Sequence, residues 1–401
     1  MKCLQVNSFH HVRGGSDQVY FNTSGLLGAR GHFVRNFAAS DPKDPPSADA
    51  RFFPAAKVGE RHLRDLPAYI YSRQAKTKVS EFLAHHGQFD VAHLHIYYGR
   101  LTTSILNPLR AKCGAIVQTL HEYKLACPVY TLERDGNPCE ICVTNGPLNA
   151  VRYRCKNGSF AASAAMYAEF RISRALGDIS KIDTLICVSD FQRALLERAG
   201  VPETKLTTLH NFVDTTDIRV SRLSEKRSYI LYFGRIEQLK GIKTLILAAK
   251  QSGAELVIAG DGTWTQQMKE QIKGTDVRYV GFQTGDALAT LIREARAVVV
   301  PSEWYENCPM SVLEAKAAGT PVIGANIGGI PELIRDGVDG LLFPSGDVAA
   351  LAKALERVAE ADISEWGTAA RKDIDARFSA DQHYDRLVEI YRQAQAKRRS
   401  K

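Results

Sequence analysis

An α/β chain built from two parallel-sheet units is predicted by three observations. Apolar runs alternate with helical patterns through both halves, and the runs end in glycine or other turn residues. The length, 401 residues with 45% hydrophobic and 24% charged content, suits two soluble domains of about 100 to 200 residues each.

In the first half the pattern predicts strand 2–9, helix 18–30, strand 91–96, helix 102–113, strand 115–121, strand 184–189 and helix 191–199. Residues 1–211 form the predicted N-terminal domain. The stretch 41–54, rich in proline, aspartate and alanine, is a predicted loop. In the second domain, residues 212–378, Tyr229 to Phe233 reads as a buried strand running into a turn at Gly234. Leu256–Ala259, Val277–Val280 and Ala297–Val300 repeat that design. A helix over 347–359 comes near its end. The last segment, residues 379–401, holds an amphipathic helix over 380–396 with Tyr384, Leu387, Ile390 and Tyr391 on one face.

The most informative stretch runs from Glu306 to Gly324. Pro309 suits a first helical turn, where its missing N–H costs nothing, and Gly319 suits the C-terminal end. Glu306 then lies in the entering loop and Glu314 inside the helix. A loop carboxylate with the free N–H groups of Cys308 and Met310 suits a polyhydroxylated anion at a helix N-terminus, and Glu314 suits a ribose diol. Upstream, Arg235 and Lys240 flank a glycine turn, where two cations can hold a diphosphate. The plainer readings are two solvated carboxylates and an Arg235–Glu237 surface pair.

These residues, taken with Gly14-Gly15, Val188-Ser189, Asn211-Phe-Val-Asp214, Lys240-Gly241, Gly260-Asp-Gly262 and Gly328-Gly329-Ile-Pro-Glu332 in this order, resemble the retaining glycosyltransferases of family four. The resemblance covers nearly the whole chain. It implies the GT-B fold, two facing Rossmann-like domains with a cleft between them, and a last helix crossing back to the N-terminal domain. It implies transfer from a nucleotide-diphosphate sugar, of UDP or GDP type, with retention of configuration and no metal or other cofactor required for catalysis. On this reading His121, Arg235, Lys240 and Glu306 are catalytic, and Gly14, Gly15, Gly234, Asn307, Cys308, Pro309, Met310 and Glu314 bind the donor. The place of His121 beside the transferred sugar rests on the resemblance; a histidine buried at a strand end is its alternative. His93 and His95 share a face by alternation and read as structural or substrate-lining. Asp373-Ile-Asp375 lies in a late helical segment and is not read as a metal site.

Four of the eight cysteines, Cys127, Cys139, Cys142 and Cys155, cluster in an insertion over about 122–160. Its turn-rich sequence cannot build a core of its own. A Cys-x-x-Cys knuckle with two more cysteines matches a structural zinc, an iron–sulfur centre or a set of free thiols. Cys3, Cys113, Cys187 and Cys308 read as small core or turn residues.

The net charge of +8 fits nucleic acid, an anionic membrane face or phosphorylated substrates. No apolar run is long enough to span a bilayer and the N-terminus is a strand start, so a cytoplasmic place is expected, with peripheral contact to an anionic inner leaflet open to the basic tail 397–401. The leading expectation is sugar transfer to a lipid-linked or polysaccharide acceptor in surface-glycan assembly. A nucleotide-sugar epimerase or phosphorylase-like enzyme of the same fold, and a zinc-stabilised nucleic-acid binder, are the alternatives.

Overall fold

The computed structural model describes residues 1–55, 66–221 and 226–399. The chain divides into two compact units. The first comprises Met1–Leu132, Cys139–Leu209 and Tyr384–Lys401; the second comprises Glu133–Pro138 and His210–His383.

The first unit holds a six-stranded parallel sheet: β1 (Lys2–Val6), β2 (Phe33–Phe37), β3 (Val91–Leu94), β4 (Ile116–Leu120), β5 (Thr184–Cys187) and β6 (Leu206–Thr208). Their spatial order is β2-β1-β3-β4-β5-β6. β3, β4 and β5 are buried throughout, as strands covered by helices on both faces must be. The first strand is shorter than its apolar pattern, stopping at Val6. Beyond it the side chain of Asn7 turns to the Asp17 carboxylate (2.9 Å) and to the backbone N–H of Ile96 (3.2 Å). The closing helix Ala380–Arg399 packs Leu387, Ile390, Tyr391 and Ala394 into a core with Cys3, Leu27, Val91 and Val117, so its apolar face is the one its spacing specifies.

The second unit repeats the design with β7 (Ile230–Phe233), β8 (Leu256–Ala259), β9 (Val277–Tyr279), β10 (Ala297–Val300), β11 (Val322–Ala325) and β12 (Gly340–Phe343). The order β9-β8-β7-β10-β11-β12 reverses direction between β7 and β10, and all pairs are parallel. Such a switch point splays the loops leaving two adjacent strands and opens a crevice beyond their carboxyl ends. In the first unit the same point falls between β1 and β3.

Helix Met310–Ala317 differs at its start from the sequence reading. Pro309 has ψ 123 and is the N-cap, one residue before the helix, because an extended ψ is needed to bring the chain out of the preceding loop. Gly319 (φ 69) ends the helix as expected: its N–H bonds Lys316 O and that of Thr320 bonds Ala315 O, a Schellman closure.

Candidate functional site

In the second unit the switch point gathers two loops. One leaves β7 through Gly234 and Arg235 to Lys240; the other leaves β10 through Ser302 to Glu306. The Lys240 ammonium meets Oε1 of Glu306 at 2.5 Å, and Ser302 Oγ donates to the same oxygen at 2.7 Å. Lys240 also lies 5.3 Å from the centroid of the Trp304 ring.

Two glycines make this convergence possible. Gly241 has φ 71, and a Cβ there would stand 1.8 Å from the Pro301 carbonyl. Gly328 has φ 60, and its Cβ would fall 2.4 Å from the Glu306 carbonyl; Gly329 N–H bonds that carbonyl at 2.7 Å. The Gly328-Gly329 loop is therefore a backbone cradle for Glu306. Asn211 acts similarly on the next turn, donating to the Cys308 carbonyl at 3.0 Å and fixing residues 307–309 ahead of Met310. His210 pairs Glu332 at 2.8 Å.

Arg235 is placed otherwise. Its guanidinium pairs with Glu237 and is largely exposed, while its carbonyl accepts from the Tyr232 hydroxyl at 2.7 Å. The ion pair weighed against a diphosphate role for this residue is thus present. Glu314 sits within its helix, and burial alone pushes its carboxyl up to about 7. Asp373, set aside as a metal ligand, forms with Asp339 the counter-charge to a fully buried Lys316, at 2.6 and 3.2 Å. Lys316 also donates to the Leu333 carbonyl at 2.6 Å.

In the first unit, Gly14 is the N-cap of helix Gly15–Ala29, whose first turn carries Asp17. Asp17 accepts from Asn7 and from the Arg13 N–H (3.1 Å), fixing the loop between β1 and the helix. His121 follows β4; its surroundings depress its pKa to about 4 by desolvation, so the ring is neutral at ordinary pH. His93 and His95 do share one face, with rings stacked at 4.5 Å. His95 Nδ1 meets His121 Nε2 at 2.9 Å. Sequence reasoning missed Ser302, Trp304 and Gln5 as neighbours of these residues, since nothing local marks a serine or glutamine as a support for a distant side chain.

The cysteine insertion is anchored by a buried pair, Lys124 with Glu169 of helix Phe160–Leu176 (2.5 Å), and by Lys124 donating to Pro128 O. Lys124 therefore offers no surface charge to a nucleic acid. Five non-glycine residues of the insertion, Tyr130, Leu132, Asp135, Arg154 and Asn157, take positive φ. Cys127 is buried and its sulfur contacts Cys142 and accepts backbone N–H groups of Leu132, Val129 and Thr131; the Cys142 contact, with those donors, brings its thiol down to about 7, and pushes that of Cys142 up. Four thiolates about 2.3 Å from one zinc stand about 3.8 Å apart. Among the described residues no three cysteine sulfurs lie within 4.8 Å of one another, so the set as placed does not fit a tetrahedral four-thiolate centre. Cys3, Cys113, Cys187 and Cys308 are buried.

Comparison with known proteins matches residues 13–217 to "Glycosyltransferase Family 4" and residues 213–373 to "Glycosyl transferases group 1". The amylovoran biosynthesis glycosyltransferase AmsK of Erwinia amylovora is 35% identical over 40% of this chain and 44% of its own. The D-inositol 3-phosphate glycosyltransferase of Mycolicibacterium paratuberculosis is 27% identical over 95% of this chain and 86% of its own. The chain spans about half the length of the first curated relatives it matches. Among solved structures, Anabaena HepE in complex with UDP-glucose superposes with a TM-score of 0.70 at 17% identity, covering 98% of this chain and 100% of that one. No described helix is long and apolar enough to cross a membrane. With a family match over half its length and two parallel Rossmann-like sheets in the GT-B manner, this chain belongs to glycosyltransferase family 4.

Proposed function

We propose that the chain transfers a sugar from a nucleoside diphosphate sugar, of UDP or GDP type, to a lipid-linked or polysaccharide acceptor with retention of configuration. The observation that carries the reading is the convergence of Lys240 and Glu306 at the switch point of the second sheet, with the N-terminus of helix Met310–Ala317 following directly. AmsK is by name an amylovoran biosynthesis glycosyltransferase, and the HepE complex holds UDP-glucose; the first supports sugar transfer and the second a nucleotide-sugar donor.

In this mechanism Lys240, joined by Arg235 turning from Glu237, binds the diphosphate and offsets the charge that grows on it as the glycosidic bond breaks. Gly14 and Gly15 let the backbone approach the donor, Glu306 and the 307–310 turn bind the sugar hydroxyls, and Glu314 binds the ribose. His121, neutral, faces the transferred sugar. The acceptor hydroxyl attacks from the side the nucleotide leaves, and the departing phosphate takes its proton. No second carboxylate is needed, in keeping with two glutamates that belong to one segment instead of flanking a bond. A zinc at the four cysteines would require their sulfurs to draw together, and it has no step in transfer. The +8 charge suits a peripheral approach to an anionic inner leaflet where a lipid-linked acceptor lies.

Thermal shift with nucleoside diphosphates and their sugars tests the reading. A ligand at 100 times its dissociation constant adds about 2.7 kcal/mol. Stabilisation by one base, lost in Lys240→Ala, supports the donor site and names the donor; no response to any of them removes it.

A further inference from the structure

Among the described residues, four of the ten large hydrophobic side chains left exposed fall within 148–172 of the first unit: Leu148, Tyr153, Phe160 and Ile172. Leu148 is 60% exposed and Phe160 61%. Single exposed apolar residues are ordinary, whereas a local concentration of them marks a contact surface. The same stretch, Gly146–Leu176, carries five cations, Arg152, Arg154, Lys156, Arg171 and Arg174, against one carboxylate, Glu169. That carboxylate is buried and paired with Lys124, so it neutralises none of the five.

Helix Phe160–Leu176 is amphipathic in the inverted sense. It buries Ser163, Glu169 and Ser173 with Met166 and Phe170, and leaves Phe160, Ala161, Ile172 and Ala175 exposed. Ala161, Ala165, Ala168, Ile172 and Ala175 recur at helical spacing and make one outward stripe without a polar side chain, where a water-facing helix carries its charges. Just before it, the short helix Asn149–Arg152 ends in a turn held by Cys155 N–H on the Ala150 carbonyl (3.0 Å) and Lys156 N–H on Ser163 Oγ (2.9 Å). Arg154 and Asn157 take positive φ in this turn, which non-glycine residues rarely do. The turn thus ties the exposed Arg152 and Arg154 to the start of the apolar stripe.

Two of the five cations are engaged. Arg174 pairs with Asp178 at 3.2 Å, and Lys156 donates to the Tyr130 hydroxyl at 3.2 Å. Arg152, Arg154 and Arg171 are exposed and meet no carboxylate among the described residues. The basic tail is placed differently: Lys397 donates to the Thr204 carbonyl at 3.1 Å and Arg398 to the Arg110 carbonyl, so part of its charge is directed onto the first unit itself.

We infer that the surface formed by Leu148, Arg152, Arg154, Phe160, Arg171 and Ile172 docks on an anionic lipid bilayer. The apolar side chains enter the headgroup boundary and the three guanidinium groups lie among the lipid phosphates, their stems along the apolar layer. An RNA backbone would match the arginines and leave Leu148, Phe160 and the alanine stripe against water; a bilayer surface takes both. No described helix is long and apolar enough to cross, so the contact is peripheral. That the same bilayer carries the acceptor rests on the glycosyltransferase reading above; the docking does not.

Co-sedimentation of the full chain with lipid vesicles tests the surface. The chain is expected to pellet with phosphatidylcholine vesicles containing phosphatidylglycerol, to stay in solution with phosphatidylcholine alone, and to be released at about 1 M salt, where the screening length falls to about 3 Å. Replacing Arg152, Arg154 and Arg171 together by Gln is expected to weaken partition about a hundredfold, since each basic residue near such a surface contributes about fivefold. All three native tryptophans, Trp264, Trp304 and Trp366, lie in the second unit. The emission that Phe160→Trp adds to theirs is therefore expected to shift to the blue when anionic vesicles are added. No partition of the wild type, a triple variant that partitions as the wild type does, or a bound Phe160→Trp protein of unshifted emission would each overturn the proposal. So would salt-sensitive binding to single-stranded RNA without binding to vesicles, which would make the patch a nucleic-acid surface. Stabilisation by nucleotide sugars is read without vesicles, which separates the two readings. Its loss in a chain that still binds vesicles overturns the glycosyltransferase reading, and its presence in a chain that ignores vesicles overturns the docking surface alone.

Discussion

The Lys240 Nζ and the Glu306 Oε1 stand 2.5 Å apart although 66 positions separate them in sequence. Adjacent parallel strands at the switch point deliver them, so neither could find the other by local structure. A partly buried pair of this kind, still open to solvent, contributes about 1 kcal/mol or less to stability. Lys240→Ala is therefore expected to melt within about 4 °C of the wild type, while kcat/KM falls about 10²- to 10³-fold, the scale seen when one donor to a developing charge is removed. Parallel melting and steady-state assays check both halves of the statement; a large drop in melting temperature would make the lysine a structural residue.

Glu314 predicts a proton release. Its carboxyl titrates at about 7 in the folded chain against an ordinary 4.5. Between those values the folded state holds more protons than the unfolded one, so this group costs stability as pH rises through the window. A ribose that bonds the carboxylate favours the ionised form. Nucleotide binding near pH 7 is thus expected to expel a fraction of a proton, read by calorimetry in buffers of different ionisation enthalpy. Glu314→Gln should bind with no buffer dependence; identical behaviour of both proteins would remove Glu314 from the ribose.

Lys316 is a charge with no exit. Its ammonium is fully buried against Asp339 and Asp373, and Arg335 lies 2.7 Å from Asp339. Lys316→Met leaves two carboxylates without their central cation and is expected to cost about 3–5 kcal/mol in urea unfolding. A loss below about 1 kcal/mol would mean that Arg335 and Arg377, both on Asp373, carry the compensation alone.

The Cys127–Cys142 contact predicts which thiols react together. Mild oxidation of the native chain is expected to join these two first, seen as a loss of two mass units and a crosslinked peptide, absent in Cys142→Ser. Resistance to oxidation together with one zinc per chain would show instead that all four cysteines close on a metal.

Much of the fold was legible because it is written locally. Buried strands such as Ile230–Phe233 and Leu256–Ala259 are continuous apolar runs, and Gly234 and Gly260 directly after them mark the turns. The face of the last helix could be read from spacing alone, since Leu387, Ile390 and Tyr391 repeat at helical intervals and all are buried. What escaped was set by partners far away in sequence. Pro309 moved from the first turn to the cap because the incoming loop fixes its ψ. The four cysteines had the spacing of a metal knuckle, yet spacing does not state side-chain directions, and three positive-φ residues between Tyr130 and Asp135 redirect the loop that carries them. Gln5 was an ordinary strand residue until Tyr391 and His95 closed around it.

The helix Ala380–Arg399 fills the core of a sheet whose first strand begins at Lys2. A ribosome making this protein therefore releases the first unit's strands long before the helix that covers them. Cys3, Val91 and Val117 must wait, with one side bare, through the synthesis of the entire second unit. Completion of the first unit waits for this helix to be made, and a chain cut short after His383 carries an open apolar seam that chaperones and proteases can read as unfinished.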